Sequence, residues 1–288
     1  GTLVYFGTMW AMATGPGPVG VMEAGASDWP VFRGGLQRTG WNHDQPGPTQ
    51  GSVHWQWKKS GEAFFASPTV VGNRVYIASA TLGLTGGSGT IYCFDADTGA
   101  LVWSNAPRGF RPTYSSPVVV GDKLVCGEGL HITQDSRVVC MDSRDGSILW
   151  TFRTNSHVEC TPVVADGRVY VGAGGDGYYC QAMEGDGQGN AKVIWHVPGG
   201  PEFPDSETSL AVYDGRVYAG QGVGGEALVV LDAADGRVIQ RIPTGFPIFS
   251  PPAIADGKLY VGMGHGDMVK SARELGKPVE GQVICVDL

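Results

Sequence analysis

Hydrophobic and polar positions alternate in short runs along most of the chain, and glycine-containing turns separate the runs. The pattern is clearest between residues 113 and 150, where the apolar runs are Val118–Val120, Leu124–Cys126, Val138–Met141 and Ile148–Trp150. Two short Gly-Asp or Asp-Gly turns and one longer loop lie between them. This arrangement predicts an antiparallel meander of four strands, which we name A, B, C and D in order.

The same unit recurs along the chain. A proline precedes the first turn of most copies, and Leu210 takes its place in the fourth: the prolines are Pro68, Pro117, Pro162 and Pro252. A tryptophan ends four strand D segments at spacings of 48, 47 and 45 residues, and Gln240 holds the next position: Trp55, Trp103, Trp150 and Trp195. Repeats of this period are typical of propeller blades, whereas a β-sandwich has no reason to repeat both residues in register. We therefore predict an all-β propeller with the tryptophans packed between blades.

Five blades of four strands are expected, at about 64–103, 113–150, 158–195, 207–241 and from 248 to the end. The last blade stops where its strand D should begin, while residues 52–57 read as an isolated strand D. These two pieces either pair and close a five-bladed ring or belong to an incomplete ring. We divide the chain into an apolar N-terminal tail, 1–27, and the propeller, 28–288. The tail is a signal remnant, a linker or a docking arm.

Composition narrows the function classes. The chain has 288 residues, 42% of them hydrophobic, and its 46 glycines and 18 prolines suit a protein with many tight turns. The net charge of -8 argues against a nucleic-acid partner, because phosphate binding needs a basic face. No long apolar run follows residue 27, so membrane contact is expected only through residues 1–27.

The cysteines follow the repeat. Four of the six occupy the same position of strand C: Cys93, Cys140, Cys180 and Cys285. Facing sheets lie about 10 Å apart, whereas disulfide partners need Cα atoms within about 7 Å. We expect these four to be buried free thiols. Cys126 on strand B could lie opposite Cys140, so this pairing stays open.

One stretch before the repeats carries a resemblance to a known family. It contains Asp28-Trp29-Pro30, Phe32-Arg33-Gly34 and Arg38-Thr39-Gly40, and the repeating Asp-x-x-x-Gly-x-x-x-Trp follows it. From Asp28 to its end the chain resembles the PQQ-like (pyrroloquinoline-quinone-like) β-propeller repeat proteins. That group includes the quinoprotein dehydrogenases and non-catalytic relatives such as the lipoprotein of the outer-membrane β-barrel assembly machinery. The resemblance implies a periplasmic or extracellular location and a ring that usually has seven or eight blades.

The resemblance also raises the question of a cofactor. In the quinoprotein dehydrogenases a tricyclic quinone lies in the channel against a Trp and a disulfide of adjacent cysteines, over a calcium ion held by carboxylate and amide groups. Here no two cysteines are adjacent, no matching set of Glu, Asn and Asp is present, and no Cys-x-x-Cys-His would attach haem. We therefore expect no cofactor and disfavour PQQ with calcium.

Candidate binding residues lie in the longest loops. In a propeller the D–A and B–C connections share one face, which rims the central channel. Those connections vary most in length here, and we call the surface that they form the variable face. We expect any binding on this face, through these candidates: Arg108, Arg111, Tyr114, Glu128, His131, His157, Glu159, Glu202, His265 and Asp267. The same loops also carry Asp176 and Asp205.

Three of these histidines could form a metal site with Glu159 or Asp267, since imidazole and carboxylate suit zinc and similar ions. His131, His157 and His265 nevertheless come from three separate loops without ligand-like spacing. We therefore interpret the three histidines as residues of solvated loops and assign no catalytic or metal-binding residue.

The sequence favours a non-catalytic propeller scaffold that binds a protein partner through the variable face. It leaves open a PQQ-dependent quinoprotein dehydrogenase or another channel-face enzyme, degenerate or lacking its remaining blades. Neither a Gly-x-Ser-x-Gly elbow nor a P-loop is present to indicate another reaction class.

Overall fold

A computed structural model describes residues 28–40, 50–81, 87–131, 133–267 and 269–288. Within these ranges the strands form five antiparallel sheets and no helix is found, so the predicted all-β blade architecture is confirmed. The apolar tail expected over residues 1–27 lies outside the described residues. None of the described segments is a helix long and apolar enough to span a membrane.

Blade 1 consists of β1 (Thr69–Val71), β2 (Arg74–Thr81), β3 (Ser88–Asp95) and β4 (Leu101–Asn105). Blade 2 consists of β5 (Val118–Val120), β6 (Lys123–Gly127), β7 (Ser136–Asp142) and β8 (Ile148–Thr154). Blade 3 consists of β9 (Val163–Ala165), β10 (Arg168–Gly172), β11 (Gly177–Ala182) and β12 (Lys192–Pro198). Blade 4 consists of β13 (Ala211–Tyr213), β14 (Arg216–Gly220), β15 (Ala227–Asp232) and β16 (Val238–Pro243). Blade 5 consists of β17 (Ala253–Ala255), β18 (Lys258–Gly264) and β19 (Gly281–Asp287).

Strand register repeats from blade to blade. In the four-stranded blades the strands pair in chain order, and a β-bulge interrupts the pairing of strand C with strand D. The pair beside the bulge is equivalent in each blade: Cys93 with Trp103, Cys140 with Trp150, Cys180 with Trp195 and Val230 with Gln240. The equivalent positions inferred from the sequence are therefore confirmed.

The closing tryptophans lock each blade onto the C–D turn of the next. Trp103 Nε1 donates to the carbonyl oxygen of Ser143 at 3.0 Å, and Trp150 Nε1 donates to that of Met183 at 2.8 Å. Trp195 Nε1 donates in the same way to the carbonyl oxygen of Ala233 in blade 4, and Trp55 Nε1 donates to that of Ala96 in blade 1. Each ring lies over a turn glycine of positive φ, where a Cβ atom would come within 2.6 or 2.7 Å of the ring: Gly99, Gly146, Gly185 and Gly236. The tryptophans thus share one environment, as predicted for packing between blades.

The isolated strand D expected at residues 52–57 is not formed. Trp55 reaches its turn, but no β-pairing is present over residues 51–62. In the described part of the chain β19 pairs with β18 alone, and Val53 and Val283 are 81% and 77% exposed. The pairing that would close a five-bladed ring is therefore absent. The first strands instead contact one another in order from blade 1 to blade 5.

The motif-bearing segment of residues 28–38, which we call the channel segment, lies along the inner edges of the first strands. Val70 exchanges two backbone hydrogen bonds with Trp29, and the amide of Val119 donates to Pro30. The amides of Val212 and Ile254 donate to the carbonyl oxygens of Leu36 and Gln37. These bonds satisfy inner-edge groups in blades 1, 2, 4 and 5, which otherwise would lack partners. The segment therefore joins the inner edges of these four blades.

Arg38 ties the channel segment to blades 3 and 4. Its side chain is fully buried. Nε donates to the carbonyl oxygen of Leu210 at 2.9 Å, and Nη2 donates to those of Thr161 and Pro162 at 3.2 Å each. Nη1 donates to Phe32 at 2.8 Å. Burial lowers the pKa of Arg38 to about 10, because its partners are neutral carbonyl groups rather than a carboxylate.

The cysteines are all free, and two details differ from the sequence analysis. Cys126 faces Val139, whereas Cys140 pairs with Val125, so the open Cys126–Cys140 bond is not formed. A one-residue offset in a strand turns a side chain to the opposite face of the sheet. Cys285 is exposed rather than buried, because no strand D covers β19 within the described residues.

Candidate functional site

Histidine and carboxylate side chains gather where three connections of the variable face meet. The B–C connection of blade 2 contributes His131, and the D–A connection of blade 3 contributes His157 and Glu159. The D–A connection of blade 4 contributes Asp205 and Glu207. We call these five residues the His–carboxylate cluster.

One carboxylate oxygen holds the cluster together. Glu207 Oε2 lies 2.8 Å from His131 Nδ1 and 2.7 Å from His157 Nε2, so it accepts a hydrogen bond from each imidazole. The two rings are tilted, with centroids 5.4 Å apart. One ligand-type atom from each of His131, His157, Asp205 and Glu207 lies within 4.8 Å of the others.

Glycines make room for His157. A Cβ atom at Gly174, where φ is +46°, would come within 2.6 Å of the imidazole of His157. At Gly129, where φ is +102°, it would approach the Cβ atom of His157 to 3.1 Å. Ser156 Oγ lies 3.3 Å from His157 Nδ1 and fixes the other side of the ring. Side chains at the two glycine positions would displace the imidazole from Glu207.

Backbone groups of blade 4 orient Asp205. The amide of Val223 donates to Asp205 Oδ2 at 3.0 Å, and the amide of Gly222 donates to its carbonyl oxygen at 2.9 Å. The neighbouring Ser206 amide donates to Gly174, and Gln221 Nε2 donates to Ser206 Oγ at 2.9 Å. Hydrogen bonds therefore fix the D–A connection that carries Asp205 to both blade 4 and blade 3.

Burial and mutual charge shift the titration of the cluster. Desolvation raises the pKa of Glu159 to about 7 and that of Asp205 to about 6, and the charge of Glu207 adds to both shifts. Burial alone would raise the pKa of Glu207, but hydrogen bonds from His131 and His157 hold it below its usual range. The bond to Glu207 raises the pKa of His131 to about 9. The cluster thus places several interacting titratable groups in a desolvated place.

Two carboxylate oxygens of the cluster lack a hydrogen-bond partner. Glu159 Oε1 and Glu207 Oε1 are both inaccessible to solvent and make no hydrogen bond. Their residues are at least nine-tenths buried. Buried polar atoms are normally satisfied, and each orphan is costly. Such oxygens can accept a proton donor or hold a cation. The cluster therefore combines the groups used for proton transfer with those used for metal binding.

The structure brings together three of the ten candidate residues: His131, His157 and Glu159. They differ from the solvated-loop interpretation, because His157 and Glu159 are 5% and 9% exposed. His265 is not part of the cluster. Its ring lies 4.7 Å from that of Phe246 and its Nε2 3.8 Å from Glu280 Oε1. Asp267 accepts backbone bonds in its own loop.

Glu128 holds neighbouring loops together and does not lie on the protein surface. It is buried, and Arg137 donates to both of its oxygens, at 2.8 and 3.1 Å. The amide of Arg111 donates to Glu128 Oε2 at 2.9 Å. Because Glu128, His157 and Glu159 are buried, they are not in position to touch a partner protein.

Exposed aromatic side chains occupy another part of the variable face. Tyr114 and Phe65 are 36% and 55% exposed, and their rings meet edge to face with centroids 5.1 Å apart. Arg108 and Glu202 are also exposed. The face therefore has an aromatic pair on blades 1 and 2 and a buried polar cluster at blades 2 to 4.

Two members of the cluster lie outside the ten candidates: Asp205, which the sequence places on the same loops, and Glu207, which the sequence analysis does not single out. A repeat alignment contains the missing signal. The residues three before each proline, or before Leu210, are equivalent: Phe65, Tyr114, Glu159, Glu207 and Phe249. Five positions before, the residues are Ala63, Pro112, His157, Asp205 and Pro247. Blades 3 and 4 therefore place acidic residues and a histidine where the other blades have aromatic, small or proline residues.

The blades and their variable face define a PQQ-like repeat β-propeller. The chain belongs to the family whose model is described as outer membrane protein assembly factor BamB, which matches residues 45–131 and 87–278.

Other similarities cover only parts of longer proteins. The serine/threonine-protein kinase AfsK of Streptomyces griseus is 28% identical in an alignment of 188 residues that covers 61% of this chain and 22% of the kinase. The quinohemoprotein alcohol dehydrogenase ADHIIG of Pseudomonas putida HK5 superposes with a TM-score of 0.63 at 16% identity, over 89% of this chain and 48% of the enzyme. The corresponding enzyme of Comamonas testosteroni gives 0.59 at 15% identity, over 84% and 48%. The chain thus spans about half of these structures, and the likeness to them concerns the fold.

Proposed function

We propose that this propeller is a non-catalytic platform that binds a protein partner through the exposed part of its variable face. The observation that carries the proposal is the solvent-exposed Phe65–Tyr114 pair. Aromatic residues are enriched at the centres of protein interfaces, where they bury large areas at low entropic cost. Arg108 and Arg111 precede Tyr114 on the same connection and suit the polar rim of such a contact.

The family supports this proposal. Its model is described as an outer membrane protein assembly factor, a name that refers to the assembly of other proteins. We place the chain outside the cytoplasm by the same analogy, in the periplasm or extracellular space. The buried cysteines suit that setting, since a thiol without solvent access is protected from oxidation.

Site-specific photo-crosslinking in the producing cells tests the platform. A benzoylphenylalanine at Tyr114 should give a discrete adduct with a partner protein, because this side chain lies on the proposed contact surface. The matched control carries the same probe at Gln188, an exposed residue in the C–D turn of blade 3 on the opposite face. Adducts of equal yield at both positions, or none at Tyr114, would contradict the proposal. Phe65→Ala should reduce the Tyr114 adduct at least several-fold.

The proposal includes function without PQQ and calcium. Calcium takes about six to eight oxygen ligands, whereas the His–carboxylate cluster presents two imidazoles among its donors. The channel segment is hydrogen-bonded along the inner edges of the first strands, where a channel ligand would have to lie. A thermal-shift experiment with PQQ and calcium should therefore leave the unfolding temperature unchanged. A true ligand at 100 times its dissociation constant would stabilise the chain by about 2.7 kcal/mol, and such a shift would favour a quinoprotein enzyme instead.

A further inference from the structure

The His–carboxylate cluster has the spacing of a metal site. His131 Nδ1 and His157 Nε2 both lie within 2.8 Å of Glu207 Oε2, and the four ligand-type atoms, with one from Asp205, are within 4.8 Å of one another. Ligands about 2.0 to 2.2 Å from a tetrahedral ion lie roughly 3.4 Å apart. The observed separations bracket that value. To seat an ion, the two imidazole nitrogens would therefore move about 0.6 to 0.7 Å further from Glu207 Oε2.

The donor set indicates the kind of ion. Two imidazole nitrogens with two carboxylates suit divalent first-row transition metals such as zinc, iron or nickel. Hard ions such as calcium and magnesium prefer oxygen ligands alone. The cluster therefore selects for a transition metal by the chemistry of its ligands.

An independent observation also points to a cation. Glu207 is 7% exposed, and its Oε1 is buried without a hydrogen-bond partner. Glu159 Oε1 is likewise buried and without a hydrogen-bond partner. Three carboxylates thus meet two imidazoles in a place where water does not reach these oxygens. A divalent ion would supply the partner that these buried oxygens lack.

Groups around the cluster are placed as an outer shell. A metal-bound histidine usually donates its other ring nitrogen to a neighbouring acceptor. Ser156 Oγ lies 3.3 Å from His157 Nδ1 and can take this role when Nε2 faces the ion. The Val223 amide donates to Asp205 Oδ2 and fixes that carboxylate. Three connections from three blades would then be joined at one point.

We propose that the cluster binds one divalent transition-metal ion through His131 Nδ1, His157 Nε2, Asp205 and Glu207. The ion joins blades 2, 3 and 4 on the variable face. Each imidazole turns a lone pair rather than an N–H group toward it.

Titration calorimetry with zinc chloride tests the proposal, using chelator-treated protein in metal-free buffer. Wild type should bind one zinc ion per chain. His131→Gln and Glu207→Gln should each weaken zinc binding at least about tenfold, since loss of mere outer-shell partners already costs about 10- to 100-fold. His54→Gln is the matched control, because His54 bonds the Asp97 carbonyl in the opposite-face turn of blade 1. It should bind like wild type.

Two results would overturn the proposal: no stoichiometric zinc binding by wild type, or wild-type affinity in both His131→Gln and Glu207→Gln. The cluster would then be a self-contained network of hydrogen bonds. His131→Gln is the safer variant, because a quarter of the His131 side chain is exposed. Cobalt added to wild type gives a second readout that needs no variant. Visible absorption of a four-coordinate cobalt ion, abolished by one equivalent of zinc, is expected; its absence counts against the site.

Discussion

Arg38 illustrates how a single residue can hold an array of blades together. It is fully buried and bonds four carbonyl oxygens, three of them at the starts of the innermost strands of blades 3 and 4. Hydrogen bonds to charged groups contribute more than neutral ones, and removing the donor leaves buried acceptors without partners. A cation without a carboxylate partner is tolerated here because its fork geometry matches several carbonyl groups.

Arg38→Ala should lower the free energy of unfolding by about 3 to 4 kcal/mol, because the orphaned carbonyl oxygens and the cavity both cost stability. Urea denaturation of purified protein measures the change. Arg108→Ala removes an exposed arginine and should stay within about 0.5 kcal/mol of wild type. Equal stability of the two variants would contradict the role assigned to Arg38.

Thiol accessibility provides a second residue-scale prediction. Burial raises the pKa of Cys126, Cys140, Cys160 and Cys180 to about 12 and that of Cys93 to about 11, so these thiols stay protonated and shielded. Cys285 alone is exposed. Titration with a chromogenic disulfide reagent at pH 8 should count one thiol per folded chain and six after unfolding without reductant. Fewer than six would reveal a disulfide that the structure lacks.

At the scale of elements, the joint between blades is a tryptophan ring on a turn glycine. Gly146 has a φ of +75°, and a Cβ atom there would come within 2.6 Å of the Trp103 ring. Gly121 also has a positive φ, +59°, but open space surrounds its Cβ position. Substitutions at the two glycines therefore share the cost of backbone strain, and only the substitution at Gly146 also disturbs the contact between blades.

Gly146→Ala should be less stable than Gly121→Ala by about 1 to 3 kcal/mol, because only the former pushes against a packed ring. Both should lose about 1 kcal/mol from the backbone conformation alone. Thermal or urea unfolding of both variants gives the difference. If the two lose the same stability, the Trp103 ring does not pack tightly on the turn of blade 2.

Much at this scale could be predicted from the sequence. The recurrence of Pro, Gly and Trp identifies the strands and the shared tryptophan environment, because local turn chemistry and a repeating core leave few alternatives. The strand expected at residues 52–57 is not formed, since a strand needs a pairing partner and not only its own pattern. The sequence also could not predict that Cys140 pairs with Val125 rather than with Cys126, because the register depends on the loop between the two strands.

At the scale of the whole molecule, the cluster depends on contacts that no local pattern contains. His131, His157 and Glu207 lie 26 to 76 positions apart and meet because blades 2, 3 and 4 stand side by side. Spacing rules search for ligands on one element and therefore miss them. Aligning the blades on their prolines would have placed Glu207 beside Glu159. The pairing of residues 28–38 with the first strands likewise appears only in three dimensions.

The most direct test of the central claim, that three blades build one site on the variable face, is a crystal structure of the zinc-loaded chain with anomalous data at the zinc edge. We expect a single strong peak about 2.0 to 2.2 Å from His131 Nδ1, His157 Nε2, Asp205 and Glu207. Peaks only at other residues, with Glu207 still accepting hydrogen bonds from both imidazoles, would contradict it.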